Sequence, residues 1–305
     1  MWVVRGNLGG AAQMALALLA LIALLVVFER HQRKARHFHT ARPRGRPLPR
    51  FHLRGARGAA AAVACALPVM LGFVVPVTLF ASHAGNPTPA LLEAAGNSLA
   101  LAGAAGLAVA ALALLLAYAA RTDRRPLTRW SVQIATLGYA IPGSILAIGV
   151  LAVVAADGVP LLSGTLAALF FAYIVRFMAP GFGVVNAGLE RVPATMDAAA
   201  RSLGAGRGAT LARVHIRMIP APLLAGALLV FVDVMKELPA TLILRPFDFE
   251  TLASLVYMHA SLGQLEDAAL PALGIIVTGL LPVVLTLTLF DRQRRTIVQP
   301  HHSAA

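Results

Sequence analysis

Three ionisable side chains crowd into "FVDVMKELPATLIL", Phe231 to Leu244: Asp233, Lys236 and Glu237. At i, i+3 and i+4 they share one helical face. Two kinds of chemistry suit that pattern. One is a self-neutralising ion cluster that holds helices together. The other is a polar wall along a path for a hydrophilic solute. Residues 222–244 also contain twelve Leu, Ile, Val and Phe. Those contribute roughly −6 kcal/mol of insertion free energy, whereas three central charges cost roughly +9 kcal/mol. A helix with that balance inserts poorly if it faces lipid, so the charges must face protein or water. Pro239 follows within a turn and predicts a kink that opens space beside them. Arg176 lies in another apolar run, near its cytosolic end by span counting. The axial gap to the cluster is then over about 10 Å, and no direct pair is expected.

The elements that must carry such a cluster are membrane spans. Of the 305 residues, 58% are apolar and 13% charged, far from the usage of soluble domains. Seven stretches are long and apolar enough to cross a bilayer: 11–28, 59–82, 98–120, 133–155, 161–181, 222–244 and 269–290. The fold class is therefore all-α and polytopic, with about seven transmembrane helices. Charge alternates between the connectors. Segments 29–58, 121–132, 182–221 and the C-terminal tail together hold 22 of the 26 Lys and Arg. By the positive-inside rule these face the cytoplasm, which puts the N-terminus outside and the C-terminus inside. Only Arg5 precedes the run at 11–28, and no small-residue cleavage site follows it. That run reads as an anchor rather than a signal peptide.

The formal charge of +13 does not indicate nucleic-acid binding. Its densest part, 29–58, has three Pro, two aromatics and no apolar periodicity. It reads as a solvated cytosolic linker beside anionic lipid headgroups. The spacing of His31, His37, His39 and His52 fits no common metal site, and Cys65 has no second cysteine to pair with. The only lysines are Lys34 and Lys236, and neither lies in G-x-x-x-x-G-K-[ST]. This chain therefore carries no P-loop of its own. "GAGRG" (Gly204 to Gly208) follows no strand and reads as a link between two helices. The chain has no H-E-x-x-H, no G-x-S-x-G and no paired Asp motif in its spans, which argues against a membrane-embedded enzyme.

The cytosolic connector "VPATMDAAARSLGAGRGATLARVHIRMIPAP" (Val192 to Pro222) is not featureless. Pro193 and Thr195 mark a helix start, with Thr195 as the N-cap. Met196, Ala199, Ala200 and Leu203 follow at i, i+3, i+4 and i+7 and form one apolar face. Asp197 and Arg201 make an i, i+4 ion pair on another face. Gly204 stands at the C-cap. Two alanines let another surface approach closely, so the helix reads as a docking element for a cytosolic partner. A helix lying in the lipid interface wants bulkier side chains.

"AAARSLGAGRGATLARVHI" resembles the EAA loop of ATP-binding-cassette (ABC) importer permeases. The family pattern is Glu-Ala-Ala, three residues, Gly, nine residues, Ile, one residue, Leu-Pro. Ala199, Ala200 and Gly204 match; Val214 stands for the Ile and Ile216 for the Leu. Ala198 replaces the family Glu, and Arg217 the family Pro. Asp197 comes one residue early, rotated by about 100° around a helix, and makes a poor substitute for that Glu. "GYAIPGSILAIGV", "FVDVMKELPATLILRPFDFETLASLVY" and "RPLPRFHLRG" resemble the iron(III) branch of the family, whose members usually fuse two permease halves. This chain resembles the second half, preceded by the last span of the first. A fragment, a split subunit and a half that pairs with another chain all fit.

The resemblance implies a six-helix type I permease core over 59–291, with one extra N-terminal helix before it and an EAA-type coupling loop at 190–220. Around it lie an extra span at 1–28, the linker at 29–58 and a cytosolic tail at 292–305. It implies an inner-membrane subunit that binds no cofactor, ATP being used by separate ABC ATP-binding subunits. A periplasmic substrate-binding protein delivers the solute, and a second permease half or another copy completes the pore, with membrane lipid around it. Met196, Ala199, Ala200, Leu203 and Gly204 are then the ATPase-coupling residues. Asp233, Lys236 and Glu237 are candidates for the translocation pathway. Carboxylates suit hard Fe(III), but a pore must not bind its ion tightly, and no metal site is expected. Tyr257 and His259 are further, weaker contacts in the outer connector. Other readings are the same architecture importing a polyamine or oxyanion, and a non-transporting membrane scaffold. The topology has a direct test. A single cysteine at Ser202, in a Cys65→Ala background, should resist an impermeant thiol reagent applied to intact cells; labelling from outside overturns the orientation.

Overall fold

In a computed structural model the chain is described at residues 53–123, 125–156 and 164–298, with scattered helical positions between 10 and 28. Most of the expected first span, linker residues 29–52, the stretch 157–163 and the tail from 299 lie outside the described residues. Among the described residues every regular element is a helix. The chain forms two compact units, 1–83 and 84–305.

In the first unit, α1 runs over Ala56–Ser82. A π-helical turn at Met70–Val74 interrupts it just before Pro76. Proline has no N–H to return to the carbonyl one turn earlier, and the widened turn absorbs that mismatch.

In the second unit, α2 is Pro89–Thr122, α3 Pro126–Ala135, α4 Gly143–Ala156 and α5 Leu166–Glu190. The loop after α5 supplies α6, Ala194–Ser202, and α7, Arg207–Met218. Then come α8, Pro220–Met235, and α9, Pro239–Leu244. The last two are α10, Leu252–Ser261, and α11, Leu265–Val298. Prolines begin several of these helices, where the missing N–H has no helical partner to lose. The Thr88 and Thr165 side chains cap α2 and α5 by accepting from Leu91 and Ala168 N–H groups. Thr251 and Ser254 form a reciprocal capping box on α10.

Among the described residues, four helices are long and apolar enough to cross a membrane, or six if each bent pair counts as one span. Two expected spans are broken. The stretch expected as 133–155 bends by 119° between Pro126–Ala140 and Gly143–Val154. Pro142 causes this: it lacks an N–H and forces Ile141 into an extended conformation (φ −83°, ψ 129°). The stretch expected as 222–244 stops at Met235 and restarts at Pro239. The span expected at 161–181 is Leu166–Glu190, displaced towards the C-terminus.

The core sits where α2, α5 and α8 pack together. The buried face of α2 is rich in Ala and includes Gly106, as membrane helix contacts require, since small residues let backbones approach. Gly106 shows how closely: a Cβ there would lie 2.6 Å from the Ala227 carbonyl oxygen of α8. At Gly103, one turn away, a Cβ meets nothing within 4 Å. Gly106→Ala should therefore force α2 and α8 apart and cost about 1–3 kcal/mol, while Gly103→Ala should be neutral or slightly stabilising. Thermal unfolding of the two variants in detergent, side by side, checks the pair.

Candidate functional site

Two polar centres stand out within the second unit. The first lies where both broken spans meet α5. Arg176 stands near the middle of α5, Leu166–Glu190, and so lies well inside the span. Its Nη1 donates to the Ile141 carbonyl at 2.9 Å, which the break at Pro142 leaves without a helical partner. Its Nε stands 3.0 Å from Glu237 Oε2, both side chains being largely shielded from solvent. Glu237 occupies the break after α8, where its Oε1 accepts from the Ala240 N–H at 3.1 Å and caps α9. The Thr241 hydroxyl donates to the Glu237 carbonyl, and Tyr173 bonds Thr241. Gly143 completes the arrangement: a Cβ there would meet Glu237 Oε1 at 2.6 Å and Arg176 Nη1 at 3.0 Å.

This corrects two expectations. Arg176 does pair with the cluster, because α5 begins and ends later than span counting gives. Asp233, Lys236 and Glu237 do not act as one face, because the helix ends at Met235 and i, i+4 geometry no longer applies to Glu237. They split into two pairs. Asp233, with its side chain 8% exposed, holds Lys236 Nζ at 3.0 Å, and the Lys236 side chain is 64% exposed. Four charges thus form two neutral pairs, one buried and one open.

The second centre anchors the loop that carries α6 and α7. Arg121, in the last turn of α2, donates through Nε to Asp197 Oδ2 at 2.9 Å. Its Nη1 and Nη2 donate to the Leu189 and Val192 carbonyls, each at 2.8 Å. His215, fully buried in α7, stands 2.6 Å from Asp197 Oδ1 through Nε2. A carboxylate only accepts, so Nε2 carries the proton. The His215 ring stacks obliquely on Tyr118 at 5.3 Å, and the Tyr118 hydroxyl donates to the Arg207 carbonyl at 2.9 Å. Burial pushes the Asp197 carboxyl up, but the donors on Arg121 and His215 outweigh it and hold the group below the usual carboxylate range.

Asp197 is therefore not paired with Arg201, and Thr195 is not the N-cap. Pro193 holds the cap position, with no side-chain hydrogen bond. Gly204 does close α6: its φ is +78°, and the following N–H, of Ala205, bonds back to the Ala200 carbonyl at 2.9 Å. Of the expected coupling residues, Met196, Ala199, Leu203 and Gly204 are exposed, while Ala200 is buried against this chain. Sequence reasoning missed Arg121, His215 and Tyr118. Arg121 looked like one more basic residue at a span end, and His215 was not singled out between Val214 and Ile216.

The connector after α9 is fastened to α2. Asn97 donates to the Glu250 carbonyl at 3.0 Å, and Ser98 accepts from the Leu252 N–H at 2.8 Å. Arg245 binds Glu250 and the Phe249 carbonyl. His259 lines a recess of about 310 Å³ with Glu266 and Asp267, whereas Tyr257 is half-exposed and outside it. Among the described residues, no three His, Cys, Asp or Glu side chains converge as a metal site.

Residues 111–299 match the family described as "Binding-protein-dependent transport system inner membrane component". The chain is 29% identical over 194 residues to the "Fe(3+)-transport system permease protein FbpB 2" of Haemophilus influenzae, a stretch covering 64% of this chain and 38% of that one. It is also 29% identical over 167 residues to the "Putative 2-aminoethylphosphonate transport system permease protein PhnV" of Salmonella typhimurium, covering 55% of this chain and 60% of that one. The chain thus spans 38% and 60% of the length of these curated relatives. Its fold is similar to that in the "Crystal structure of a bacterial ABC transporter involved in the import of the acidic polysaccharide alginate", with a TM-score of 0.56 and 15% identity over 79% of this chain and 96% of that one. The match over 111–299 takes in both polar centres, and it assigns the chain: it belongs to the family of inner membrane components of binding-protein-dependent transport systems.

Proposed function

We propose that this chain is one half of the membrane pathway of an ABC importer, with a separate ATP-hydrolysing subunit docked on α6 and ferric iron as the cargo. The carrying observation is the division of α6 into two faces. Asp197 and Ala200 turn inwards and are held by the chain itself, while Met196, Ala199 and Leu203 point away from it. Leu203, 86% exposed, stands beside the helix-ending Gly204 on the side that charge distribution assigns to the cytoplasm. An exposed apolar face on a helix whose other face is fixed suits a protein partner. A substrate-binding protein on the outer side, and a second permease half or another copy across the pore, complete the assembly. The N-terminus is then outside and the C-terminus inside.

Asp233 and Lys236 are the pathway candidates this reading favours. Lys236 is the exposed charge, and an ammonium at that depth needs water or a partner half rather than lipid. Glu237 is assigned to holding the helix breaks together. The outer face supports a cationic cargo: Glu93, Asp248, Glu266 and Asp267 are exposed there, and the one arginine of the outer connector, Arg245, is taken up by Glu250. A field of that sign attracts cations and repels oxyanions. Similarity to a permease named for 2-aminoethylphosphonate keeps a second reading in view, with Lys236 facing an anionic solute.

Two experiments divide these roles. Arg176→Met or Glu237→Gln alone should cost about 3–5 kcal/mol and lower membrane abundance, because each leaves a buried charge without its partner. The double variant should recover most of that abundance. Asp233→Asn with Lys236→Met should leave abundance near normal and depress iron uptake; full uptake by that variant removes the pair from the pathway. For docking, Leu203→Asp should abolish co-purification of the ATP-hydrolysing subunit while the chain stays in the membrane. Undiminished association refutes the role of α6. Uptake assays with ferric iron and with 2-aminoethylphosphonate, run in parallel, decide the cargo.

A further inference from the structure

We infer that Arg121, Asp197 and His215 form a latch that makes α6 and α7 move with α2 as one body, so that Arg121 and Asp197 are positioning residues of the coupling step. This rests on reading α6 as the docking helix. The geometry shows why the three act together. A single side chain at the end of α2 binds the end of α5, the turn after it and α6, through the Leu189 carbonyl, the Val192 carbonyl and Asp197. Asp197 gives its other oxygen to His215 of α7. One turn earlier on α2, Tyr118 bonds the Arg207 carbonyl at the start of α7. Both arms of the loop therefore grip the same two turns of α2.

Energetics favour this cluster as the main tie. Charge-assisted hydrogen bonds to a shielded carboxylate are about twice as strong as neutral ones. α6 has nine residues and follows Pro193, too short to be stable unless its packing holds it. Its outward residues Met196, Ala199 and Leu203 are exposed among the described residues, so a displacement applied there reaches the bundle through its inward face. That face is Asp197 and Ala200. From Arg121 the path continues along α2, which packs against α5 and α8, the helices that carry Arg176 and Asp233.

Asp197→Asn tests the latch while keeping the side-chain shape. Spin labels at Arg125→Cys and Ser202→Cys, in a Cys65→Ala background, report the spacing of α6 from the end of α2 in the full chain in lipid nanodiscs. Labels at Arg125→Cys and Arg191→Cys serve as the reference, since Arg121 still binds Leu189 and Val192. Asp197→Asn should broaden the first distance distribution and leave the second unchanged. In the complex with the ATP-hydrolysing and substrate-binding subunits, the same substitution should keep the subunits associated but cut stimulation of hydrolysis by the loaded binding protein about tenfold, within the usual range of coupling free energies. Asp197→Glu should restore part of both readouts. An unchanged first distribution overturns the latch. Broadening with full stimulation overturns its part in coupling. If the parent chain assembles with no such subunits, the proposed function fails, and the distance measurement still decides the latch.

Discussion

A guanidinium and a carboxylate 3.0 Å apart, shielded from solvent in the middle of an apolar bundle, constrain everything around them. Neither charge is tolerable there alone. Arg176 needs Glu237, and the pair also serves two interrupted helices. The Ile141 carbonyl and the Ala240 N–H are backbone groups that a continuous helix would satisfy and a broken one does not. The pair supplies both partners at once. The breaks at Pro142 and Pro239 and the pair are thus mutually dependent: the breaks create the demand for polar partners, and the partners make the breaks tolerable within a membrane. Gly143 belongs to the same constraint, since any side chain there would occupy the space of the pair.

The centre around Asp197 follows the same rule with different groups. The last turn of a helix leaves carbonyls unpaired. At the end of α5, Arg121 from α2 donates to the Leu189 carbonyl, which also accepts from the Val192 N–H, and to the Val192 carbonyl in the turn beyond, while its Nε reaches Asp197. In both places an arginine from one helix completes the terminus of another and holds a carboxylate beyond it. A guanidinium, with several donors in a fixed fork, suits that double task better than an ammonium. The one lysine among these groups, Lys236, sits at the open edge instead, paired once and largely exposed.

Much of this was legible in the sequence, and the rest was not for identifiable reasons. Apolar run length and the alternation of basic connectors located the spans from 59 onwards to within several residues. Gly204 marked the end of α6 because a left-handed residue closes a helix that way. The misjudged pairing of Arg176 came from a boundary: a span placed at 161–181 instead of Leu166–Glu190 puts Arg176 near the cytosol, and the arithmetic of helix rise then forbids the contact. Continuous hydropathy also hid the break at Pro142, since the residues on either side of it remain apolar, and the kink expected at Pro239 is a full break, the helix stopping at Met235 and restarting at Pro239. Arg121, Asp197 and His215 are separated by 76 and 18 positions, and nothing in local spacing announces that they meet.

Asp197 shows how a correct local argument reached the wrong role. One residue is about 100° around a helix, so Asp197 cannot point where a side chain at Ala198 points. That is sound, and the structure agrees: Ala198 is exposed and Asp197 buried. The rotation that disqualifies Asp197 from the outward face is what places it on the inward one, against Arg121 and His215. A carboxylate at 198 would be offered to a partner; the carboxylate at 197 is committed to the chain's own framework. The two positions therefore answer different needs, and an alanine at 198 removes nothing from the internal tie. What it removes lies on the outward face, where, in the proposed role of α6, Leu203 and Met196 leave docking to apolar contact and shape rather than to charge.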